Sequence, residues 1–380
     1  MEPPKRRFTA PLAATFTALA VFGLWKLRVE PTLENVPVDF DVHVFQNQQL
    51  PDGTVLRTRY TGLAWVDGML TMLVGAFMPG VAGREPPVRM QQWYFLIQWF
   101  AVVCVWTVEA HLVRNEKRVI RFTTIFALLY QTVGGAFIIP LYCLLCLFPW
   151  GEQGRALASG RRLRVSYAGA LLPAVLIGYL APTIAMYFPW DRLSSDSSNL
   201  RQIATAVWQP APMVPNLLML LFASLGLSRD SVQSPNGAGK GDLEKILRVH
   251  VFASLACAAA HVFFVYSCLT STDPSVSLAS VLLPDQSAWR RSLGQGLMYM
   301  FQWDFWVCFV STLLWSWVAV ADALRVTGED VSFARLLGAG FGISLLAVVL
   351  GPGAAVSTAW YWIEKRLFQA EVVNASRKRI

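Results

Sequence analysis

From Phe8 onward the chain alternates long apolar blocks with short polar stretches. Most blocks approach the roughly 20 residues that carry an α-helix across about 30 Å of hydrocarbon. They run Phe8–Trp25, Thr61–Met78, Gln91–Leu112, Phe122–Phe148, Ser166–Phe188, Ala204–Leu227, Ile246–Leu269, Gly296–Val320 and Leu336–Trp362. This pattern predicts an all-α, polytopic transmembrane helical bundle of about nine helices in a single domain. Eight helices remain if the sixth block, crowded by Pro210, Pro212 and Pro215, does not cross. Pro140, following Gly134-Gly135, predicts a kink in the fourth block.

The polar stretches divide the chain further. Residues 1–29 form an N-terminal transmembrane helix preceded by Lys5-Arg6-Arg7, and Leu24-Trp25-Lys26-Leu27-Arg28 lacks the small residues of a signal cleavage site. Residues 30–60, with Pro31, Pro37 and Pro51-Asp52-Gly53, read as an extramembrane loop. Residues 61–363 form a helical membrane core with a central cavity, and 364–380 a polar C-terminal tail. Ser228–Gly241, rich in Gly, Ser, Pro and Asn, reads as an aqueous linker.

Composition agrees with a lipid solvent: 55% of residues are hydrophobic, only 15% are charged, and there are 15 Trp. The net charge of +8 is spread over short basic clusters between apolar blocks. No continuous basic surface tracks a phosphate backbone, which argues against a nucleic-acid partner and for the bilayer. The six Cys all fall inside apolar blocks, and Cys143-x-x-Cys146 reads as core packing with no second pair to complete a metal site.

Three acids lie inside blocks: Asp67, Glu109 and Asp304. A charged side chain at that depth costs roughly 2.5–3.5 kcal/mol on insertion scales unless it is neutral, paired or faces a wet cavity. At 1.5 Å per residue Asp67 lies about 9 Å from the start of its helix, Glu109 about 5 Å from the end of its own, and Asp304 about 12 Å from the start of the eighth. In a nine-helix chain those ends share one side of the bilayer, so all three acids are expected around one pocket. Phe301, Asp304, Phe305 and Cys308 share a helix face, with Trp303 and Trp306 flanking. Trp106 shares the face of Glu109. Such rings can stabilise a passing carbocation. The plainer reading is that aromatic-rich membrane helices are common, that Glu109 pairs with nearby His111 or Arg114, and that Asp67 is a buried structural acceptor. His261 and Gln131 read by default as interhelical hydrogen-bond partners.

These residues resemble the fungal membrane-bound terpene cyclases of meroterpenoid pathways, the ascochlorin/ascofuranone type more than the shorter pyripyropene type. The resemblance rests on Gly62-Leu63-Ala64-Trp65-Val66-Asp67-Gly68-Met69-Leu70, Phe77-Met78-Pro79, Trp106-Thr107-Val108-Glu109, Gln131-Thr132-Val133-Gly134-Gly135-Ala136, Pro140-Leu141-Tyr142 and Trp303-Asp304. It implies an intramembrane Glu and a distal Asp as the essential pair, here Glu109 and Asp304. It also implies a prenylated aromatic or polyketide substrate and no metal or cofactor. The chain departs from the short members in length and in its 30–60 loop. No Asp-x-x-x-Asp or Asp-Asp cluster for a Mg²⁺-bound diphosphate occurs within a block.

The expectation is therefore a metal-independent cyclase, resident in the endoplasmic-reticulum membrane. It protonates an epoxide or terminal alkene from one carboxyl, with Glu109, Asp304 and Asp67 as the catalytic candidates, while Phe301, Trp303, Phe305, Trp306, Trp106 and Gln131 line the cavity. Burial disfavours the charged form of a carboxyl, which keeps a proton available. Three rivals stay open: a proton-coupled transporter, for which the two halves show no evident inverted repeat, a receptor-like or scaffolding membrane protein whose acids only pair with buried Arg or His, and a membrane epoxide hydrolase.

Overall fold

The computed structural model describes residues 8–152, 163, 168–225, 238–328 and 331–377. Most of the Ser228–Gly241 linker therefore lies outside the described residues, as does the extreme C-terminus. The described chain is helical, with no strand beyond the isolated bridges Gln49–Val55 and Leu112–Leu163. We number the helices α1 (Thr9–Leu33), α2 (Ala64–Ala82), α3 (Pro86–His111), α4 (Thr123–Val133), α5 (Gly135–Glu152), α6 (Ala168–Tyr187), α7 (Ser197–Trp208), α8 (Val214–Ser224), α9 (Ala238–Thr270), α10 (Leu278–Leu282), α11 (Leu293–Val326), α12 (Phe333–Leu350) and α13 (Pro352–Arg377). Among the described residues seven helices are long and apolar enough to cross a membrane: α1, α2, α3, α6, α9, α11 and α12. The protein is an integral membrane helical bundle.

Helix α3 is the centre, with most side chains from Gln91 to Glu109 buried. It runs in the same direction as α11. Near their starts Glu85 accepts from Ser292 at 2.9 Å, and further along Phe95 packs against Phe305 at 5.7 Å. Helix α12 is the opposite case, almost wholly uncovered by protein, and its apolar surface suits lipid. Polar side chains join helices across the core, as expected where lipid offers no hydrogen bonds. Tyr94 Oη meets His261 Nδ1 at 2.7 Å, and Gln98 accepts from Gly353 N at 2.9 Å. Cys143 and Cys146 are buried and unbridged.

Three blocks differ from expectation, each at glycine or proline. The fourth does not cross. It breaks at Gly134, whose φ of +117° suits glycine, six residues before the expected kink at Pro140. The chain then doubles back: Phe126 on α4 and Tyr142 on α5 face each other at 5.1 Å, and both touch Trp106, at 6.3 and 4.3 Å. The sixth block is two helices, α7 and α8, separated by residues 209–213 with Pro210 and Pro212. The ninth turns back at Gly351-Pro352, where φ is +92°. Leu336 accepts from Trp317 on α11, while Trp360 packs on neighbouring Trp315 at 4.7 Å, so α12 and α13 lie side by side. Residues 364–377, read as the start of a polar tail, continue α13, with Glu364 and Leu367 buried.

Candidate active site

The break at Gly134 creates two helix ends: the start of α5 is buried at Gly135 and Ala136, and the end of α4 is exposed at Thr132. An unfilled helix end leaves carbonyls and N–H groups without partners, which is costly away from water. Two charged side chains fill these ends. Arg28 on α1 donates from Nη2 to the Thr132 carbonyl at 2.7 Å and from Nε to Val133 at 2.9 Å. Asp304 on α11 accepts at Oδ1 from the Ala136 N–H at 2.5 Å. A cation therefore meets the C-terminal end of α4 and a carboxylate the N-terminal end of α5, the favourable sense for both helix dipoles. The fit is tight at Asp304. A Cβ added to Gly135 would stand 2.9 Å from Oδ1 and 2.7 Å from Cys308 Sγ.

Both charged groups lie on the wall of a cavity of about 700 Å³. That is within the range of about 300–1,000 Å³ usual for small-molecule sites. Leu73, Ala76 and Phe77 of α2, Tyr130 of α4, and Leu297, Met300 and Phe301 of α11 supply its apolar wall. Gln131 and Thr132 add polar groups beside the break. The remaining side comes from the stretch read as an extramembrane loop: Asn35, Pro37, Asp39, Phe40 and Asp41 also line the cavity. This stretch is pinned at Val44, which is fully buried with a methyl packed close over Gly75, and by Pro37 against Gly296.

Asp304 does not share this cavity with the other two acids. Phe95, level with Phe305 next to Asp304, precedes Glu109 by fourteen residues of α3 (about 21 Å at 1.5 Å per residue). Glu109 forms a buried ion pair with Arg114, each side chain 1% exposed, and accepts from Asn115 Nδ2 at 2.7 Å. Asp67 sits at the start of α2, where it accepts from the Tyr60, Thr61 and Gly62 N–H groups and the Thr61 hydroxyl. The single-pocket expectation fails because the fourth block returns to the face it left. That reverses the parity on which one shared leaflet depended.

The aromatic expectations divide similarly. Phe301 and Gln131 line the cavity. Trp303 packs beside Phe22 and Tyr299, Phe305 is buried among Tyr94, Phe95 and Phe309, and Trp306 donates to the Leu282 carbonyl. Trp106 lies outside it too, against Tyr130 at 5.9 Å. Sequence reading missed Arg28, Phe77, Tyr130 and the Asn35–Asp41 wall. Two hints were available: Arg28 is a charge beside an apolar block that has no acid of its own, and Phe77 stands in one of the stretches that carry the resemblance. Among the described residues no group of three or more His, Cys, Asp or Glu is placed to hold a metal ion.

Comparisons with known proteins extend over most of the chain. The family model described as the CtvD domain matches residues 12–366. The chain is 29% identical over 323 residues to the terpene cyclase ctvD of Aspergillus terreus, covering 79% of this chain and 83% of that one. It is 26% identical over 322 residues to the terpene cyclase ascI of Acremonium egyptiacum, covering 82% and 81%. A 268-residue match at 27% identity covers 70% of this chain but only 31% of the FAD-dependent monooxygenase verC1 of Penicillium polonicum. No solved structure matches.

Proposed function

The chain belongs to the CtvD family of membrane terpene cyclases, and from that premise we propose that it closes rings on a prenylated aromatic or polyketide substrate by protonating an epoxide with Asp304. The carrying observation is Asp304, a carboxyl carried by a membrane-spanning helix, on the wall of a cavity of about 700 Å³ whose helix walls are mostly apolar and partly aromatic, with Asp39 and Asp41 on the side formed by residues 35–41. The long monooxygenase relative supports an oxygenated trigger over a bare alkene, since a cyclase-like segment there shares a chain with a flavin enzyme. The membrane of residence in this reading is the endoplasmic reticulum, which lets an apolar substrate enter from lipid.

The proposed steps balance without a co-reactant. Neutral Asp304 gives its proton to the epoxide oxygen, and the adjacent C–O bond breaks with its electrons passing to that oxygen as a hydroxyl. An internal alkene attacks the carbon left electron-poor, and the positive charge moves along the folded chain. Phe77, Tyr130 and Phe301 face this charge with their rings, each worth about 0.5–2 kcal/mol. Walls that exclude water keep the cation from early capture. A proton leaves the last cation for Asp39 or Asp41, the other carboxylates on the cavity, and returns through water to Asp304. In this reading Glu109 is a structural ion-pair member that fixes the end of α3, and Asp67 pins the start of α2.

The test uses microsomes from yeast expressing the full chain, fed an epoxyfarnesyl phenol and analysed by mass spectrometry. Cyclised isomers of unchanged mass are expected, with Asp304→Asn lowering their rate at least about 100-fold. Full activity in Asp304→Asn would remove the proposal. A product heavier by one water would make the protein a hydrolase, and movement of unchanged substrate across proteoliposomes would make it a transporter.

A further inference from the structure

We propose that Arg28 is the positioning residue of this site. By holding the last carbonyls of α4, it keeps the chain broken at Gly134 so that the Ala136 N–H remains on Asp304 Oδ1 and the other carboxyl oxygen is presented to the cavity. The inference rests on the reading of Asp304 as proton donor.

Three observations carry it. The first is geometric: one guanidinium satisfies two successive carbonyls, Thr132 and Val133, at the very end of α4. A planar, rigid fork holds two carbonyls in a fixed geometry, whereas a lysine ammonium offers its donors from one point on a flexible stem. The second is the route of α1. Residues Trp25–Val29 form a π-helical turn, a feature often found at functional sites, and this wider turn carries both Leu27 and Arg28 to the cavity wall. Leu27 packs at Gly134 itself, where an added Cβ would meet its Cδ1 at 2.6 Å. The third is that Asp304 is held from the other half of the same break. Its partner is one of the N–H groups in the first turn of α5, free to donate to a side chain only because α4 does not continue into α5.

The chemical consequence concerns the moment of proton release. As the carboxyl gives up its proton, negative charge develops on Asp304 in a poorly solvated place. The Ala136 N–H and the positive end of α5 are already aimed at that charge, and a preorganised donor needs no rearrangement when the charge appears. Arg28 touches neither substrate nor proton in this scheme. It acts by fixing the turn that aims the donor.

The experiment compares wild type, Arg28→Met, Arg28→Lys and Gly135→Ala in detergent-solubilised full-length protein, at matched folded amounts. Turnover of the epoxyfarnesyl phenol is followed together with the pH midpoint at which dicyclohexylcarbodiimide labels Asp304, since that reagent couples to protonated buried carboxyls. Arg28→Met is expected to lower kcat about 10- to 100-fold with KM within about threefold, the size of a small misplacement at a reacting group. It should also move the labelling midpoint, with Arg28→Lys restoring part of both. Gly135→Ala should move both in the same way, because its methyl enters the space of Oδ1. On the residual rate of Asp304→Asn, Arg28→Met should add nothing. Unchanged kcat and midpoint in Arg28→Met and Gly135→Ala would overturn the inference, as would a full additive loss on Asp304→Asn. Where Arg28→Met does not accumulate, Arg28→Lys and Gly135→Ala decide the matter. Failure of the wild type to convert the probe would defeat the cyclase reading instead, and the labelling midpoint would still report whether Arg28 governs Asp304.

Discussion

Asp304 accepts the backbone N–H of Ala136 at 2.5 Å, so an acid on α11 caps the first turn of a helix that begins inside the bundle. One carboxyl thus meets two needs: it satisfies a buried helix end and stands on a cavity wall. Its replacement should therefore depend strongly on shape. Asp304→Asn retains a carbonyl oxygen for the Ala136 N–H, so the protein should fold while turnover collapses. Asp304→Ala leaves that donor unsatisfied, at about 1–3 kcal/mol. Thermal unfolding in detergent should show Asp304→Ala clearly below wild type and Asp304→Asn close to it.

Glu109 should behave in the reverse way. Its partner Arg114 is equally buried, and removing one member of a buried pair typically costs about 3–5 kcal/mol because the other charge is stranded. Glu109→Gln is expected to lower the yield of folded protein and its unfolding temperature, while activity per folded molecule stays within about threefold of wild type. Loss of turnover without loss of folding would return Glu109 to the reaction.

Phe301 and Phe77 are in edge contact at 5.1 Å, and both line the cavity. Phe301→Leu keeps apolar volume but removes the ring face that attracts a cation. A loss of about 0.5–2 kcal/mol corresponds to roughly 2- to 30-fold in rate. A larger share of partly cyclised products should accompany it, measured by chromatography of the product mixture.

Val44 fastens the Asn35–Asp41 wall over the cavity by packing on Gly75. Val44→Ala should loosen that wall and admit water. The readout is the ratio of hydrated to cyclised product, expected to rise severalfold while consumption of substrate changes little. An unchanged ratio would show that this wall does not keep water out.

Much of the fold could be read from local composition. Blocks of apolar residues report their solvent directly, because no other arrangement hides an unpaired backbone from lipid. Asp304 stood out in the same way, since a carboxylate among rings within a span is costly without a purpose. The doubling back at Gly134 and Gly351 was not legible. A glycine permits a positive φ without requiring it, and the chain uses that freedom only where neighbouring helices fill the exposed ends.

The sequence by itself determined that this chain is a helical membrane protein with a few misplaced-looking charges, because hydrophobic periodicity and the cost of buried charge are properties of short segments. Only the tertiary structure decided which charges meet. One turn at Gly134 reversed the sidedness of the later helices, separated Glu109 from Asp304, and brought Arg28 from the first helix to the same break as an acid 276 positions later in the chain. Such meetings depend on how whole helices pack, and no spacing within a segment records them.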